Sequence, residues 1–151
     1  MLIRTAQESD APAIAAMGMS FIRALKFGSE AEEEDVGAAV AALLQSDAGF
    51  GFVGIAPGGD LAGFILGVLS PVWFDPGQLT AAELAWWVDP PHRGTALAFR
   101  LVRQFERWAE AKGATRVALS DTEFLDTAAA AGPVIERLGY SIAERAYLKE
   151  L

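Results

Sequence analysis

The feature that most constrains this chain is a change of hydrophobic period between residues 82 and 120. "AELAWWVD", starting at Ala82, is a short apolar run of strand type that ends in the corner Pro90-Pro91. Over residues 93–112 the period becomes helical. Leu97, Ala98, Leu101, Val102, Phe105, Trp108 and Ala109 recur at three- and four-residue spacing, with Arg100, Arg103, Glu106, Arg107 and Glu110 on the other side. Lys112-Gly113 supplies the stop, and "TRVALS" reads as the next strand. A strand, a helix and a strand in this order form a crossover, so the chain must build a sheet with two parallel strands and a helix on one face.

The remaining segments extend that sheet. "LIRT" at residues 2–5 predicts a short strand, and Ser9-Asp10 predicts a helix cap with Pro12 in the first turn and an end near Met19. A second helix is predicted after Gly28, from the acidic run "SEAEEED" into "VGAAVAALLQS", with Val36, Val40, Leu43 and Leu44 on one side. "GFGFVGIA" and "LAGFILGVL" flank "PGGD" and predict an antiparallel hairpin, followed by "SPVWFDPGQLT" as a loop. "DTAAAAGPVIERLG" reads as a helical segment broken or started at Gly132-Pro133, and "YSIAERAYLKEL" as a closing strand. The expected order is β-α-α-β-β-β-α-β-α-β, an α/β or α+β layer architecture in one domain over residues 1–151.

Composition narrows the chemistry. In 151 residues, 52% of them hydrophobic, there is apolar material for a substantial core. A formal net charge of −8 argues against a nucleic-acid surface and suits an amine-bearing partner. With no cysteine and one histidine, a disulfide framework, a thiolate or His-rich metal site and a cysteine nucleophile are all excluded. The start MLIRTAQESD lacks a secretory pattern, and charges or turn residues interrupt every apolar run before it could span a bilayer. A soluble cytoplasmic protein without membrane partners is the expectation.

The start of the long helix is the first candidate site. Amides there lack intrahelical partners and carry the positive end of the helix dipole, so Arg93, Gly94, Thr95 and the next turn suit phosphate oxygens; the plainer reading is a helix start with a surface arginine. A dinucleotide site would want G-x-G-x-x-G after a strand, and the chain has none; "GFGFVG" at Gly49–Gly54 lies inside an apolar run.

The segment "AELAWWVDPPHRGTALAFRLVRQFERWAEAKGATRVALS", the element order and the ending "IERLGYSIAERAYLKEL" resemble the GCN5-related N-acetyltransferase (GNAT) superfamily over nearly the whole chain. The family's V-x-P-x-x-R-G corner is matched by Val88, Pro90, Arg93 and Gly94, and its E-K-L-G-F by Glu136, Arg137, Leu138, Gly139 and Tyr140. The resemblance implies a mixed, mostly antiparallel sheet of six to seven strands with splayed central parallel strands and about four helices. It implies acetyl-CoA as cosubstrate, its pantetheine arm along main-chain groups of Trp87 and Val88. Its pyrophosphate would lie on amides of Arg93, Gly94, Thr95, Ala96, Leu97 and Ala98. Ala96 stands where the family pattern has a central glycine, while Ala98 fits it.

Acetyl transfer to an amine needs a base for the amine proton and donors for the developing oxyanion. Glu83, on the strand flanking the thioester, ranks first as base, against the reading of an ion-paired strand acid; Asp121 and Glu123 are alternatives, more ordinarily surface or capping acids. His92 reads as an exposed loop residue or a phosphate neighbour. Many family members place a tyrosine acid four residues before the L-G-F glycine, which here is Ile135. Tyr140, Tyr147, Ser120 or water then substitutes, or the thiolate leaves without an acid, or catalysis is lost. Trp73, Phe74, Trp86 and Trp87 offer an aromatic wall, although adjacent Trp86 and Trp87 must take opposite faces of a strand. The function expected is an N-acetyltransferase acting on a primary amine of a small molecule or polypeptide by direct attack. The alternative is a GNAT-fold CoA sensor or interaction module. A homodimer is compatible with a small apolar-rich chain, without an interface motif to carry it.

Overall fold

The computed structural model describes residues 1–25, 29–122 and 131–151. In chain order the elements are β1 (Leu2–Thr5), α1 (Ala11–Ala24), α2 (Glu33–Gln45), β2 (Gly49–Ile55), β3 (Leu61–Val72), β4 (Asp75–Val88), α3 (Leu97–Ala111), β5 (Ala114–Ala118) and α4 (Gly132–Arg137). The strands form one sheet in the order β1-β2-β3-β4-β5, with antiparallel pairs throughout except β4 with β5, which run parallel across α3. This is the mixed α/β architecture expected, with five strands among the described residues rather than six to seven.

Strand alternation sends side chains into two cores. Phe50, Phe52, Ile65 and Ala81 meet Leu97, Leu101, Val102, Phe105 and Ala109 of α3 on one face. Val53, Phe64, Leu66 and Trp87 meet Ile14 of α1 and Val40 of α2 on the other. Phe50 stacks on Phe105 with centroids 4.4 Å apart, which fixes α3 to the sheet. Because both faces are covered, β2 and β3 are apolar in runs rather than in alternation.

Four boundaries differ from the sequence expectation. First, α1 extends to Ala24, and Asp10 does not cap it by side chain. Its carboxylate takes a forked pair of hydrogen bonds from Arg4 at 2.6 and 2.8 Å, which ties β1 to the start of α1 and holds the Asp10 pKa below its ordinary value. Second, the predicted loop at 70–80 is the far end of a long hairpin, with Trp73 and Phe74 between β3 and β4, exposed at 90% and 65%. Third, α3 starts at Leu97, not at residue 93, because Gly94 takes φ +74° and breaks the helical path. Fourth, residues 140–151 form no strand: Ile142, Tyr147 and Leu148 are exposed. Apolar residues at 142, 143, 146, 147 and 148 do not alternate, so a strand there would bury no single face. The predicted helical segment from Asp126 is seen as α4 at Gly132–Arg137, and its first half lies outside the described residues.

Candidate active site

A defect in β4 creates the cleft. β3 and β4 pair as Leu66↔Ala85 and Gly67↔Glu83, leaving Leu84 without a partner. This bulge shifts the alternation by one, so Ala85 and Trp87 join the α1/α2 core while Trp86 and Val88 pack toward α3. Glycine is required at position 67, where a Cβ would overlap the Phe50 ring and the Ala82 carbonyl. On its other edge β4 pairs with β5 only from Leu79↔Ala114 to Ala82↔Ala118. Past Ala82 the parallel strands part, and a cavity of about 520 Å³ opens between them.

Glu83 sits at the point of parting. Its Oε2 accepts the Ser120 N–H at 3.1 Å, which bridges β4 to the segment after β5. Burial pushes its pKa up to about 7, against the smaller opposing effect of that hydrogen bond. Desolvation thus gives an acid inside β4 the proton affinity of a general base for neutral pH.

The second wall is the turn after β4. Pro90–His92 forms a single 3₁₀ turn, closed by Arg93 N–H to the Pro90 carbonyl at 3.2 Å. Arg93 folds back: its Nε donates to the Val88 carbonyl at 3.0 Å and its guanidinium lies 4.4 Å from the Trp87 ring centroid. Thr95 Oγ1 donates to the His92 carbonyl at 2.8 Å and accepts from Leu97 N–H at 3.3 Å. The amides of Gly94, Thr95, Ala96 and Ala98 have no acceptor among the described residues. They are free donors at the positive end of α3, suited to phosphate oxygens. Gly94 is the residue whose backbone needs glycine; Ala96, at φ −73°, is not.

Most of the residues singled out in the sequence converge here. Glu83, Trp86, Trp87, Val88, His92, Arg93, Gly94, Thr95, Ala98, Ser120 and Asp121 line the cleft. The indole N–H groups of Trp86 and Trp87 are buried without a partner among the described residues. Three details differ from the expectation. The Val88 carbonyl already accepts one hydrogen bond, from Arg93, so a pantetheine arm has only its second lone pair unless that guanidinium moves. Arg93 N–H is spent within the turn and Leu97 N–H on Thr95, so two of the six expected amides are taken. Tyr140 does not line the cleft: its hydroxyl donates to Glu106 Oε1 of α3 at 3.0 Å, and burial with that neighbouring carboxylate drives its pKa further up.

Asp121 lines the cleft while its Oδ1 accepts Ala131 N–H at 3.2 Å, just ahead of α4. Val134 rather than Ile135 reaches the cleft from α4, Tyr147 is exposed at the surface, and Glu123 lies outside the described residues. Sequence reasoning missed Phe21, from α1, which meets the Trp87 ring edge-on at 5.8 Å and lines the cleft. It also missed Leu84, which the bulge brings there. Neither has a sequence signal beyond being apolar.

Comparison with known proteins agrees with this geometry. Residues 19–140 match the family described as "Acetyltransferase (GNAT) family". No curated protein sequence matches the chain significantly. Among solved structures, the ribosomal-protein-alanine N-acetyltransferase of Brucella melitensis aligns at a TM-score of 0.78 with 18% identity over 100% of both chains. An aminoglycoside antibiotic 6'-N-acetyltransferase of Acinetobacter haemolyticus aligns at 0.77 with 17% identity, covering 100% of this chain and 98% of that one. An aminoglycoside N-acetyltransferase in complex with CoA aligns at 0.78 with 17% identity, covering 99% and 93%. At these identities the likeness concerns the fold.

Proposed function

Because the chain belongs to the acetyltransferase (GNAT) family, we propose that it transfers an acetyl group from acetyl-CoA to a primary amine by direct attack, with Glu83 as the base. The observation that carries this reading is Glu83 itself, a carboxyl with its pKa raised to about 7 at the floor of a cleft between parting parallel strands.

Acetyl-CoA supplies an activated thioester when bound. The free amides of Gly94, Thr95, Ala96 and Ala98 hold its phosphates, and the edge of β4 beyond Ala82 receives the arm. A primary ammonium has a pKa near 10, so the acceptor first gives up one proton to solvent to become a free amine. Its nitrogen then turns acidic as it bonds to carbon, so a group near 7 suffices to take the second proton. Glu83 takes it while Ser120 N–H steadies the carboxylate. A thiol pKa of about 8.5 makes thiolate a tolerable leaving group, so the lack of a tyrosine lining the cleft among the described residues is not prohibitive. The thiolate takes its proton from water, directly or relayed by the Ser120 hydroxyl that lines the cleft, and Glu83 returns the proton it took to solvent, which completes the proton balance. Small-molecule amines fit a cleft of this size, and the solved aminoglycoside N-acetyltransferases share its fold.

The test is thiol release from acetyl-CoA over a broad panel of primary amines, with CoA occupancy read by native mass spectrometry. Turnover on at least one amine is expected; absence of both turnover and CoA binding refutes the proposal. A second reading, a CoA-binding protein without catalysis, is favoured by Ile135 and by the Tyr140 hydroxyl being held on Glu106. CoA occupancy without thiol release would select it.

A further inference from the structure

A second cavity of about 380 Å³ lies on the α1/α2 face of the sheet, and every side chain lining it is apolar. Ile14 and Phe21 come from α1, Val36 and Leu43 from α2, and Leu84 and Ala85 from β4. The cavity is a groove open to solvent rather than an interior void, with Leu84 56% exposed at its rim. Its walls give water no hydrogen-bond partner, so an apolar group is favoured over the solvent it displaces. An apolar hollow of about 150 Å³ accepts benzene, so this one has room for roughly two such groups. Phe21 and Leu84 line both this cavity and the cleft, and Leu84 is the bulge residue next to Glu83. The groove and the cleft therefore share two walls.

We propose that this cavity holds the body of the acceptor, and that the acceptor is a primary amine carrying an apolar chain or ring system. The inference rests on the acyl-transfer reading above. The phosphate-binding turn leads into α3, which packs on the opposite face of the sheet from α1 and α2. The donor thus enters from the α3 side, and the amine is left the α1/α2 side. Glu83 keeps the α3-face register of Ala81, opposite Gly67, so the amine nitrogen reaches it through the gap where β4 and β5 part while its body replaces solvent in the groove.

The experiment measures kcat/KM with acetyl-CoA for straight-chain amines from ethylamine to octylamine, for phenethylamine, and for ethanolamine as a polar-bodied control. A parallel arm pairs octanoyl-CoA with ethylamine. The expected result is a rise of up to about fourfold per added methylene, levelling near about eight carbons, with ethanolamine no better than ethylamine. Ala39→Phe, at an exposed α2 position that lines the cavity, should abolish the rise while leaving ethylamine turnover within about twofold; Ala39→Leu is the milder plug. Thiol release with a flat amine series overturns this inference and leaves acyl transfer standing. A flat amine series with octanoyl-CoA preferred to acetyl-CoA gives the cavity to the acyl chain instead. If no amine is turned over, calorimetric titration decides. Binding of octylamine but not ethylamine, lost in Ala39→Phe, keeps the cavity assignment without the reaction; binding of neither overturns it.

Discussion

Replacing Glu83 by glutamine separates the thermodynamic cost of the buried carboxyl from its use. The folded protein holds the Glu83 proton with a pKa of about 7 against an ordinary 4.5, because burial disfavours the anion. That is on the order of 3 kcal/mol. Below pH 4.5 the carboxyl is protonated folded and unfolded, and it adds no pH dependence. Between pH 4.5 and 7 the unfolded chain ionises while the folded one keeps its proton, so stability falls as pH rises, and above pH 7 the full penalty is present. Glutamine keeps an oxygen for the Ser120 N–H and has no charge to bury. Urea denaturation at fixed pH values from 4.5 to 8.5 should show Glu83→Gln about as stable as wild type at the acid end and more stable by up to ~3 kcal/mol at pH 8. Over the same range kcat/KM should fall by about 10²- to 10⁴-fold, and the rise of wild-type activity through pH 7 should disappear. A stability difference that does not change with pH would refute the burial argument. An unchanged pH–rate profile would refute the assignment of the base.

Gly94→Ala must place a side chain at φ +74°, at a strain of about 1–2 kcal/mol, and should weaken CoA binding several-fold by calorimetry; unaltered affinity would mean the turn does not hold the phosphates. Ala96→Gly should leave CoA affinity within about threefold, because Ala96 already has an ordinary backbone conformation. A gain beyond tenfold would show that its methyl obstructs the phosphate. Tyr140→Phe removes a hydroxyl bound to Glu106 outside the cleft, so thiol release should stay within about twofold and stability should drop by about 1 kcal/mol. A hundredfold loss of rate would return this tyrosine to the reaction. Phe105→Ala should cost about 3–5 kcal/mol in denaturant unfolding, since Phe105 is fully buried and stacked on Phe50.

Local signals carried much of this protein. The sequence by itself determined the crossover of β4, α3 and β5, because a period of two followed by one of 3.6 can be buried only by a strand and then a helix. It also determined the β2–β3 hairpin, a property of two short apolar runs and the turn between them, and through its lack of cysteine it excluded a cysteine nucleophile. Resemblance placed Glu83, Val88 and the 93–98 turn near one another, and the structure gathers most of them around one cleft.

What only the tertiary structure decided depends on register and on contacts between distant residues. Whether Leu84 bulges out of β4 is settled by its pairing with β3, through the space Gly67 leaves for Phe50, and no neighbour of Leu84 announces it. The same bulge sets which faces Ala85, Trp86 and Trp87 occupy and where the apolar cavity meets the cleft. Tyr140 and Ser120 each bring a hydroxyl, and the sequence does not say which reaches the cleft; one is taken up by Glu106 from α3 and the other lines the cleft. The proton affinity of Glu83 was decided last of all, since desolvation is a sum over everything packed around a group, whereas the sequence records only its neighbours along the chain.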